Sequence, residues 1–212
     1  MSTLSYILQH KIVAIMRGMP PKDSISLANA LYKGGINMLE ITLNSPDALS
    51  VIEELSQQFK DKMLIGAGTV LTAQEATDAI NAGAQFIISP ALDIDVIKTT
   101  KNAGKVSIPG AYTPTEIVQA QRSGADIIKV FPAPNAAYIK NVLAPLNQFK
   151  LMPTGGIKVD NIKDFAAAGA VAFGIGSALV NSKEEVNELY LQNLEDKARR
   201  FTGAIHATEV QP

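Results

Sequence analysis

The sequence of 212 residues contains no cysteine, no tryptophan and only two histidines, His10 and His206, which stand near its two ends. Without cysteine the chain has neither disulfide bonds nor thiolate ligands for a metal. Two distant histidines also do not supply the three or four protein ligands that a zinc site uses. We therefore expect a protein that binds no metal.

Blocks of like charge are absent as well, and the formal net charge is only −1. A balanced surface of this kind does not favour nucleic acid as a partner. The apolar runs are far shorter than the roughly 20 residues that span a membrane. Residues 1–10 lack the basic start and the long apolar stretch of a secretory signal. We expect a cytoplasmic protein with neither a membrane nor a nucleic-acid partner.

Short apolar runs alternate with longer amphipathic stretches at intervals of roughly 20–25 residues, which is the span of one strand-plus-helix unit. Eight runs are candidate strands: residues 12–16, 38–43, 63–66, 86–89, 106–109, 126–131, 149–153 and 171–175. Eight such units predict a single α/β domain over residues 1–212, a (β/α)₈ TIM barrel. A doubly wound open sheet is the alternative.

Helical spacing of apolar residues marks both ends of the chain. Leu4, Ile7 and Leu8 predict a short N-terminal helix that covers the bottom of the barrel. Residues 184–201 form an amphipathic pattern and predict a closing helix. The barrel is therefore expected to carry one additional helix before its first strand.

The sixth candidate strand places Lys129 inside an otherwise apolar stretch, residues 127–131. Alternate residues of a barrel strand face the helices and the interior, so Ile128 and Val130 suit the helix side and Lys129 faces inward. Desolvation disfavours the charged form of a buried amine, and a neutral amine is a nucleophile toward ketones. Lys129 is a candidate Schiff-base residue; a lysine that extends from a strand end into solvent is the alternative.

The second candidate strand repeats this pattern around Glu40. Leu39 and Ile41 suit the helix side, so the Glu40 carboxylate is predicted to share the apolar interior with the Lys129 amine. One interpretation is that Glu40 transfers protons while the amine becomes an iminium. A buried ion pair that joins two strands is the other interpretation.

Three further residues stand where candidate strands end, at the carboxyl side where barrel active sites are built. They are Arg17, Thr69 and Pro90. The planar guanidinium of Arg17 matches a carboxylate or phosphate, and the Thr69 hydroxyl can donate to a carboxylate. Gly66 and Gly68 would let a ligand approach the backbone beside Thr69. A solvated loop arginine, a plain glycine turn and a simple strand stop at Pro90 are the alternatives.

Glycine-rich segments follow the last two candidate strands. Gly155 and Gly156 come after the seventh, while Gly176 and Ser177 come after the eighth, where we predict the start of a helix. Loops at these two positions, with exposed N–H groups at a helix start, are the usual phosphate site of a barrel. Two glycine turns with Ser177 as an N-cap would also explain the pattern.

Five motifs in order and spacing resemble the 2-keto-3-deoxy-6-phosphogluconate aldolase family, which includes phosphogalactonate and 4-hydroxy-2-oxoglutarate aldolases. They are residues 39–43, 66–70, 87–90, 128–133 and 153–156. The resemblance implies a class I aldolase that needs no metal or other cofactor and is normally a homotrimer. Its substrate would be a small phosphorylated keto acid, a 2-keto-3-deoxy-6-phospho sugar acid, cleaved to pyruvate and D-glyceraldehyde 3-phosphate.

The same resemblance assigns roles to individual residues. Lys129 would be the Schiff-base lysine and Glu40 the proton-transfer carboxylate. The residues that would hold the pyruvate portion are Arg17, Thr69 and Pro90, with Phe131 packed beside it. Those that would bind the phosphate are Gly155, Gly156, Gly176 and Ser177.

Two departures from the family pattern concern the sugar that is accepted. Residues 44–46 read Asn-Ser-Pro where many phosphogluconate-type members have arginine, and residues 133–137 lack the usual acidic and glycine residues. The first departure is more typical of the phosphogalactonate branch. Two other functions stay open: another phosphate-binding barrel enzyme, such as an epimerase or synthase, and a catalytically silent sugar-phosphate sensor.

Overall fold

A computed structural model describes residues 1–209. Its strands are β1 (Ile12–Met16), β2 (Met38–Thr42), β3 (Leu64–Gly68), β4 (Phe86–Ile88), β5 (Val106–Ile108), β6 (Gly110–Ala111), β7 (Ile128–Val130), β8 (Leu151–Pro153) and β9 (Phe173–Ile175). Its α-helices are α1 (Thr3–His10), α2 (Ser24–Lys33), α3 (Ala48–Gln58), α4 (Ala73–Asn81), α5 (Ile94–Asn102), α6 (Pro114–Arg122), α7 (Ala136–Leu143), α8 (Ile162–Ala167) and α9 (Glu188–Glu209). A 3₁₀ turn at Pro21–Asp23 precedes α2. Strands and helices thus alternate along the chain.

Each of the eight predicted strands is present, but the fifth, predicted over residues 106–109, is followed at once by a further short strand, so that β5 and β6 form two pieces. Pro109 separates the two pieces, and proline has no N–H to donate to a neighbouring strand. The two pieces also pair with different partners, because β5 lies beside β4 whereas β6 lies beside β7. The divided strand therefore passes from one sheet to the next.

All strand pairs are parallel, and they form a curled sheet of six strands in the order β5-β4-β3-β2-β1-β9 and a sheet of three in the order β6-β7-β8. An isolated parallel bridge joins Thr154, just after β8, to Gly174 in β9. At the other side, the Lys129 N–H donates to the carbonyl of Pro109 over 2.9 Å. Parallel pairing brings the carboxyl ends of neighbouring strands to the same side.

The core has two layers, as the alternation along the strands predicts. The inner layer consists of side chains that face away from the helices: Val13, Met38, Phe86, Ile88, Val106, Ile108, Ile127, Met152 and Ala172, joined by Ile7 of α1. Most of these residues stand at the starts of their strands. Helix α1 therefore covers the amino-terminal end of the strands, which confirms the predicted N-terminal helix.

The outer layer packs the sheet against the helices and includes Leu39, Ile41, Ile128 and Val130. Full burial of such side chains stabilises the fold by about 1.5–3 kcal/mol each. Since neighbouring residues of a strand point to opposite faces, outward burial of Ile128 and Val130 turns Lys129 toward the interior. The same packing of Leu39 and Ile41 directs Glu40 inward.

The closing helix differs from the prediction at both ends. Helix α9 begins at Glu188 because the Asn187 side chain accepts a hydrogen bond from the Tyr190 N–H at 2.9 Å, as an N-cap does. The helix continues beyond residue 201, since Ile205 is buried in the outer core layer. Within residues 1–209, no helix combines the length and apolar character needed to cross a membrane.

Candidate active site

Lys129 lies in β7 with only 2% of its surface exposed. It stands between Gly110 of β6 and Met152 of β8 in the strand register. Its Nζ lies 5.1 Å from the centre of the Phe131 ring. The lysine is therefore buried, and the alternative of a side chain that extends into solvent is wrong.

Glu40 lies in β2 and is fully buried. Neither oxygen of its carboxylate has a hydrogen-bonding partner in the described part of the chain. Burial raises the pKa of Glu40, while the charges of Lys129 and then Arg17 oppose that rise. Glu40 and Lys129 are both buried on the inner face of their strands. The Glu40 carboxyl group and the Lys129 amine are nevertheless too far apart for a direct ion pair. The Glu40 carboxyl group therefore has no hydrogen bond within residues 1–209 that would hold it in one protonation state.

Two glycines of β3 make room for neighbouring side chains. A Cβ atom at Gly68 would overlap the Glu40 side chain, and a Cβ atom at Gly66 would overlap the Phe86 ring. Because both glycines lie within β3, the alternative of a plain turn is wrong. That they let a ligand approach the backbone stays a prediction. The absence of a side chain at Gly68 allows Glu40 to lie across β3.

Thr69 and Pro90 lie half-buried where β3 and β4 end. Thr69 has a φ of 57°, which is a strained backbone conformation for a β-branched residue and is typical of functional sites. The backbone of Pro90 packs so closely on Gly110 that a Cβ atom there would overlap it. Both residues therefore stand at the carboxyl ends of strands, as predicted.

A cavity of about 460 Å³ opens at the carboxyl ends of β1, β8 and β9. It is lined by six of the predicted substrate-binding residues, namely Arg17, Phe131, Gly155, Gly156, Gly176 and Ser177. Lys129, Glu40, Thr69 and Pro90 do not line it. Phe131 links the cavity to the buried lysine, because it lies at the cavity wall and its ring is also beside the Lys129 amine.

The two glycine-rich loops differ in one respect from the prediction. Gly155 and Gly156 have φ angles of 88° and 73°, which glycine adopts most readily. The predicted helix start at Gly176 and Ser177 is wrong: a single turn forms there, in which the Gly176 carbonyl accepts hydrogen bonds from residues 179 and 180. A helix dipole is therefore not available at this loop to attract an anion.

Arg17 is exposed and follows β1, so its place at the cavity depends on the loop that carries it. The next residue, Gly18, donates its N–H to the Ser45 hydroxyl over 2.8 Å. Ser45 also bonds to the hydroxyl of Thr42, which is fully buried, over 2.9 Å. Ser45 thus ties the Arg17 loop to the end of β2.

Sequence reasoning missed Thr154, which lines the cavity with 3% of its surface exposed. Its hydroxyl has no hydrogen-bonding partner among the described residues, and its side chain lies over Gly174, where a Cβ atom would overlap it. Side chains two residues apart in a strand point to the same face, so Thr154 could have been predicted to face inward, like Met152. Lys158 and Lys183, which also line the cavity, stand in loops that have no such period.

The fold is a parallel α/β architecture, and the candidate site groups stand at the carboxyl ends of its strands, as in many enzymes of this class. A family model described as KDPG and KHG aldolase matches residues 4–193, which is most of the chain. The chain therefore belongs to the KDPG and KHG aldolase family, whose members are lyases. The resemblance noted from its motifs is confirmed.

Within residues 1–209, no three histidine, aspartate or glutamate side chains cluster as metal ligands do.

Curated relatives carry names from both branches of the family. The chain is 34% identical over 176 residues to a probable 2-dehydro-3-deoxy-6-phosphogalactonate aldolase of Rhizobium meliloti, covering 81% of this chain and 82% of the relative. It is 35% identical over 176 residues to the 2-dehydro-3-deoxy-phosphogluconate aldolase of Haemophilus influenzae, covering 82% of each. Sequence identity therefore does not separate the branches.

Solved structures of the same family superpose closely on the chain. A native KDPGal structure matches with a TM-score of 0.88 at 29% identity, covering 94% of this chain and 96% of the other. A KDPG aldolase of Legionella pneumophila, with pyruvate captured as a covalent carbinolamine intermediate, matches with a TM-score of 0.78 at 29% identity and 98% coverage of both chains. The fold is therefore that of KDPG aldolase structures.

Proposed function

We propose that this protein is a class I aldolase that cleaves a 2-keto-3-deoxy-6-phospho sugar acid to pyruvate and D-glyceraldehyde 3-phosphate. The observation that carries the proposal is the burial of Lys129 and Glu40 in one apolar interior, next to a cavity lined by glycine loops. The names of the relatives support the substrate class. The covalent pyruvate intermediate of the Legionella enzyme supports the role of an amine.

In the proposed reaction, the nitrogen lone pair of Lys129 attacks the C2 ketone and forms a carbinolamine, which loses water to give an iminium. Glu40 removes the proton of the C4 hydroxyl. The C3–C4 bond then breaks, its electron pair moves into the iminium to give an enamine, and the aldehyde leaves. Protonation at C3 and hydrolysis release pyruvate and restore the amine. A positioned acid–base group such as Glu40 contributes about 10²–10⁴-fold in rate.

The substrate would extend from the interior into the cavity. By the resemblance of their motifs, Arg17, Thr69 and Pro90 would hold the pyruvate portion. Phe131 would pack beside it, since its ring centre lies 5.1 Å from the Lys129 Nζ. The phosphate would lie against Gly155, Gly156, Gly176 and Ser177. Binding energy from this distant group would position the reacting carbons.

We also infer that the two sheets close into one eight-stranded barrel that comprises a single domain over residues 1–212. The Thr154–Gly174 bridge joins β8 to β9, and the bond from Lys129 to Pro109 joins β7 to the divided fifth strand. Homotrimer formation and a cytoplasmic location stay predictions. The oligomeric mass measured by light scattering tests the first of them.

Reduction with borohydride in the presence of pyruvate tests the proposed chemistry. The wild-type chain should gain the mass of a reduced pyruvate adduct at Lys129, and Lys129→Ala and Lys129→Met should gain none. An unlabelled wild type would instead favour an epimerase or synthase in which Lys129 only contributes charge. Ligand-dependent thermal stabilisation without turnover would favour the sensor.

Pyruvate release from the two C4-epimeric phosphosugar acids, measured side by side, tests the substrate. The Asn-Ser-Pro sequence at residues 44–46 favours the phosphogalactonate epimer. Release from neither epimer, together with a normal pyruvate adduct, would leave the amine chemistry intact and contradict the proposed substrate class.

A further inference from the structure

The cavity beside the site carries an excess of positive charge. Three basic residues, Arg17, Lys158 and Lys183, line it, and no aspartate or glutamate stands among its lining residues. This excess does not follow from the composition, because the whole chain has a formal net charge of −1. The wall is therefore complementary to an anion with more than one negative charge.

The loop that carries Lys158 has a fixed shape. The Asn161 side chain accepts a hydrogen bond from the Lys158 N–H at 2.8 Å and donates one to the Gly156 carbonyl at 2.9 Å. Lys158 is thus held two residues from the glycine pair at the cavity wall. The Lys158 N–H already donates to Asn161, so Lys158 would bind an anion through its ammonium group.

An analogous arrangement holds Lys183 after β9. The Asn181 side chain accepts from the Lys183 N–H at 3.1 Å, and the Asn181 N–H donates to the hydroxyl of the buried Tyr190 at 2.9 Å. The neighbouring Glu184 carboxylate accepts a hydrogen bond from the Asn181 amide at 2.6 Å. Glu184 is therefore hydrogen-bonded to Asn181 and does not line the cavity.

One polar side chain of the cavity wall is not open to a ligand. Thr154 lines the cavity, but its hydroxyl is covered and lies over Gly174. The exposed side chains of Lys158 and Lys183, next to the two glycine loops, are charged groups that a phosphate can reach.

We propose that Lys158 and Lys183 bind the terminal phosphate of the substrate and so determine the preference for a phosphorylated over an unphosphorylated sugar acid. The inference rests on the proposed function, since it takes Lys129 as the point at which the keto end is held. Lysine acts on phosphate as a mobile point charge. Two lysines on neighbouring loops can follow the phosphate as the aldehyde product leaves.

The test compares Lys158→Ala, Lys183→Ala and the double variant with Lys163→Ala, a control that removes an equally exposed lysine of α8 outside the cavity wall. We expect kcat/KM for the phosphorylated substrate to fall about tenfold in each single variant and about a hundredfold in the double variant. For the unphosphorylated sugar acid, kcat/KM should change less than about twofold. The control should match the wild type on both substrates.

Binding of inorganic phosphate, measured by calorimetry, gives a readout that does not depend on catalysis. The double variant should bind it about a hundredfold more weakly than the wild type. Unchanged phosphate affinity, or an equal loss on both substrates, would overturn the proposal. The pyruvate adduct distinguishes the two proposals: a wild type without it contradicts the function, whereas a double variant that keeps both the adduct and phosphate affinity contradicts only the lysine assignment.

Discussion

The side chain of Glu40 occupies the space in which a side chain at position 68 would lie. A methyl group at Gly68 would therefore displace the one buried carboxylate that faces Lys129 in residues 1–209. In the proposed reaction, glycine at this position would therefore matter to catalysis without contributing a functional group.

Gly68→Ala should lower kcat by about a hundredfold, because a displacement near 1 Å from the productive geometry has an effect of that size. Overpacking should also destabilise the fold by about 1–3 kcal/mol. Gly203→Ala is the matched control, since no atom lies within 4 Å of a Cβ there and helix α9 favours alanine by about 1 kcal/mol. Steady-state kinetics and thermal melts measure both effects; full activity in Gly68→Ala would contradict the role of Glu40.

The buried Glu40 carboxylate should make the stability of the protein depend on pH. Burial raises its pKa in the folded state above the ordinary value near 4.5, so the folded state holds the proton more tightly than the unfolded state. The resulting stability is present at low pH and is lost as pH rises through the folded pKa. Melting temperatures of the wild type and Glu40→Gln should therefore converge near pH 4.5, with the variant more stable at pH 8.

The same variant should lose about 10²–10⁴-fold in kcat if Glu40 transfers the proton. Glu54→Gln removes an exposed carboxylate of α3 and serves as the control, with a kcat equal to that of the wild type. A Glu40→Gln variant whose melting temperature follows the wild type at every pH would show that Glu40 does not carry this dependence.

Thr69 allows backbone strain to be separated from function. Its φ of 57° costs about 1–3 kcal/mol for a non-glycine residue, so Thr69→Gly should be at least as stable as the wild type. Both Thr69→Gly and Thr69→Val remove the hydroxyl and should raise KM about tenfold. Asp47→Gly relaxes a similar φ of 49° at the start of α3 and should leave KM unchanged. A normal KM in Thr69→Val would exclude the hydroxyl from substrate binding.

Ser45 is expected to position Arg17 through the backbone of Gly18. Ser45→Ala removes the acceptor for the Gly18 N–H and should destabilise the protein by about 1–2 kcal/mol. KM should rise more than kcat falls, because in the proposed reaction the Arg17 loop binds substrate and transfers no proton. Ser45→Thr keeps the hydroxyl and should restore KM, while Ser50→Ala on the exposed side of α3 should have no effect. Equal kinetics in all three variants would contradict this role.

Several features of the site could be predicted from the sequence because they depend on local periods. Alternation within β2 and β7 was enough to place Glu40 and Lys129 on the inner face, since side-chain direction in a strand has a period of two. The same period would have included Thr154 had it been followed from Met152. Arg17 and the glycine loops could be predicted because each directly follows a candidate strand, at the carboxyl end where barrel sites form.

Other features could not be predicted, because they depend on which distant segments meet. Nothing near Gly68 in the sequence shows that the Glu40 side chain will cross it, and nothing near Gly176 shows that its turn ends before becoming a helix. The division of the fifth strand at Pro109 also depends on the different partners of β5 and β6. In each case the local structure depends on a contact with a strand or loop that is distant in the sequence.

The sequence by itself determined the order of strands and helices, the inward direction of the amine and the carboxylate, and the family to which the chain belongs. Only the tertiary structure decided that Lys158 and Lys183 line one cavity with the glycine loops, and that Ser45 holds the Arg17 loop. The physical reason is the separation of the interacting residues along the sequence. The direction of a side chain in a strand follows from its neighbours in the sequence, whereas a cavity wall and a loop contact form only when parallel strands bring their carboxyl ends together.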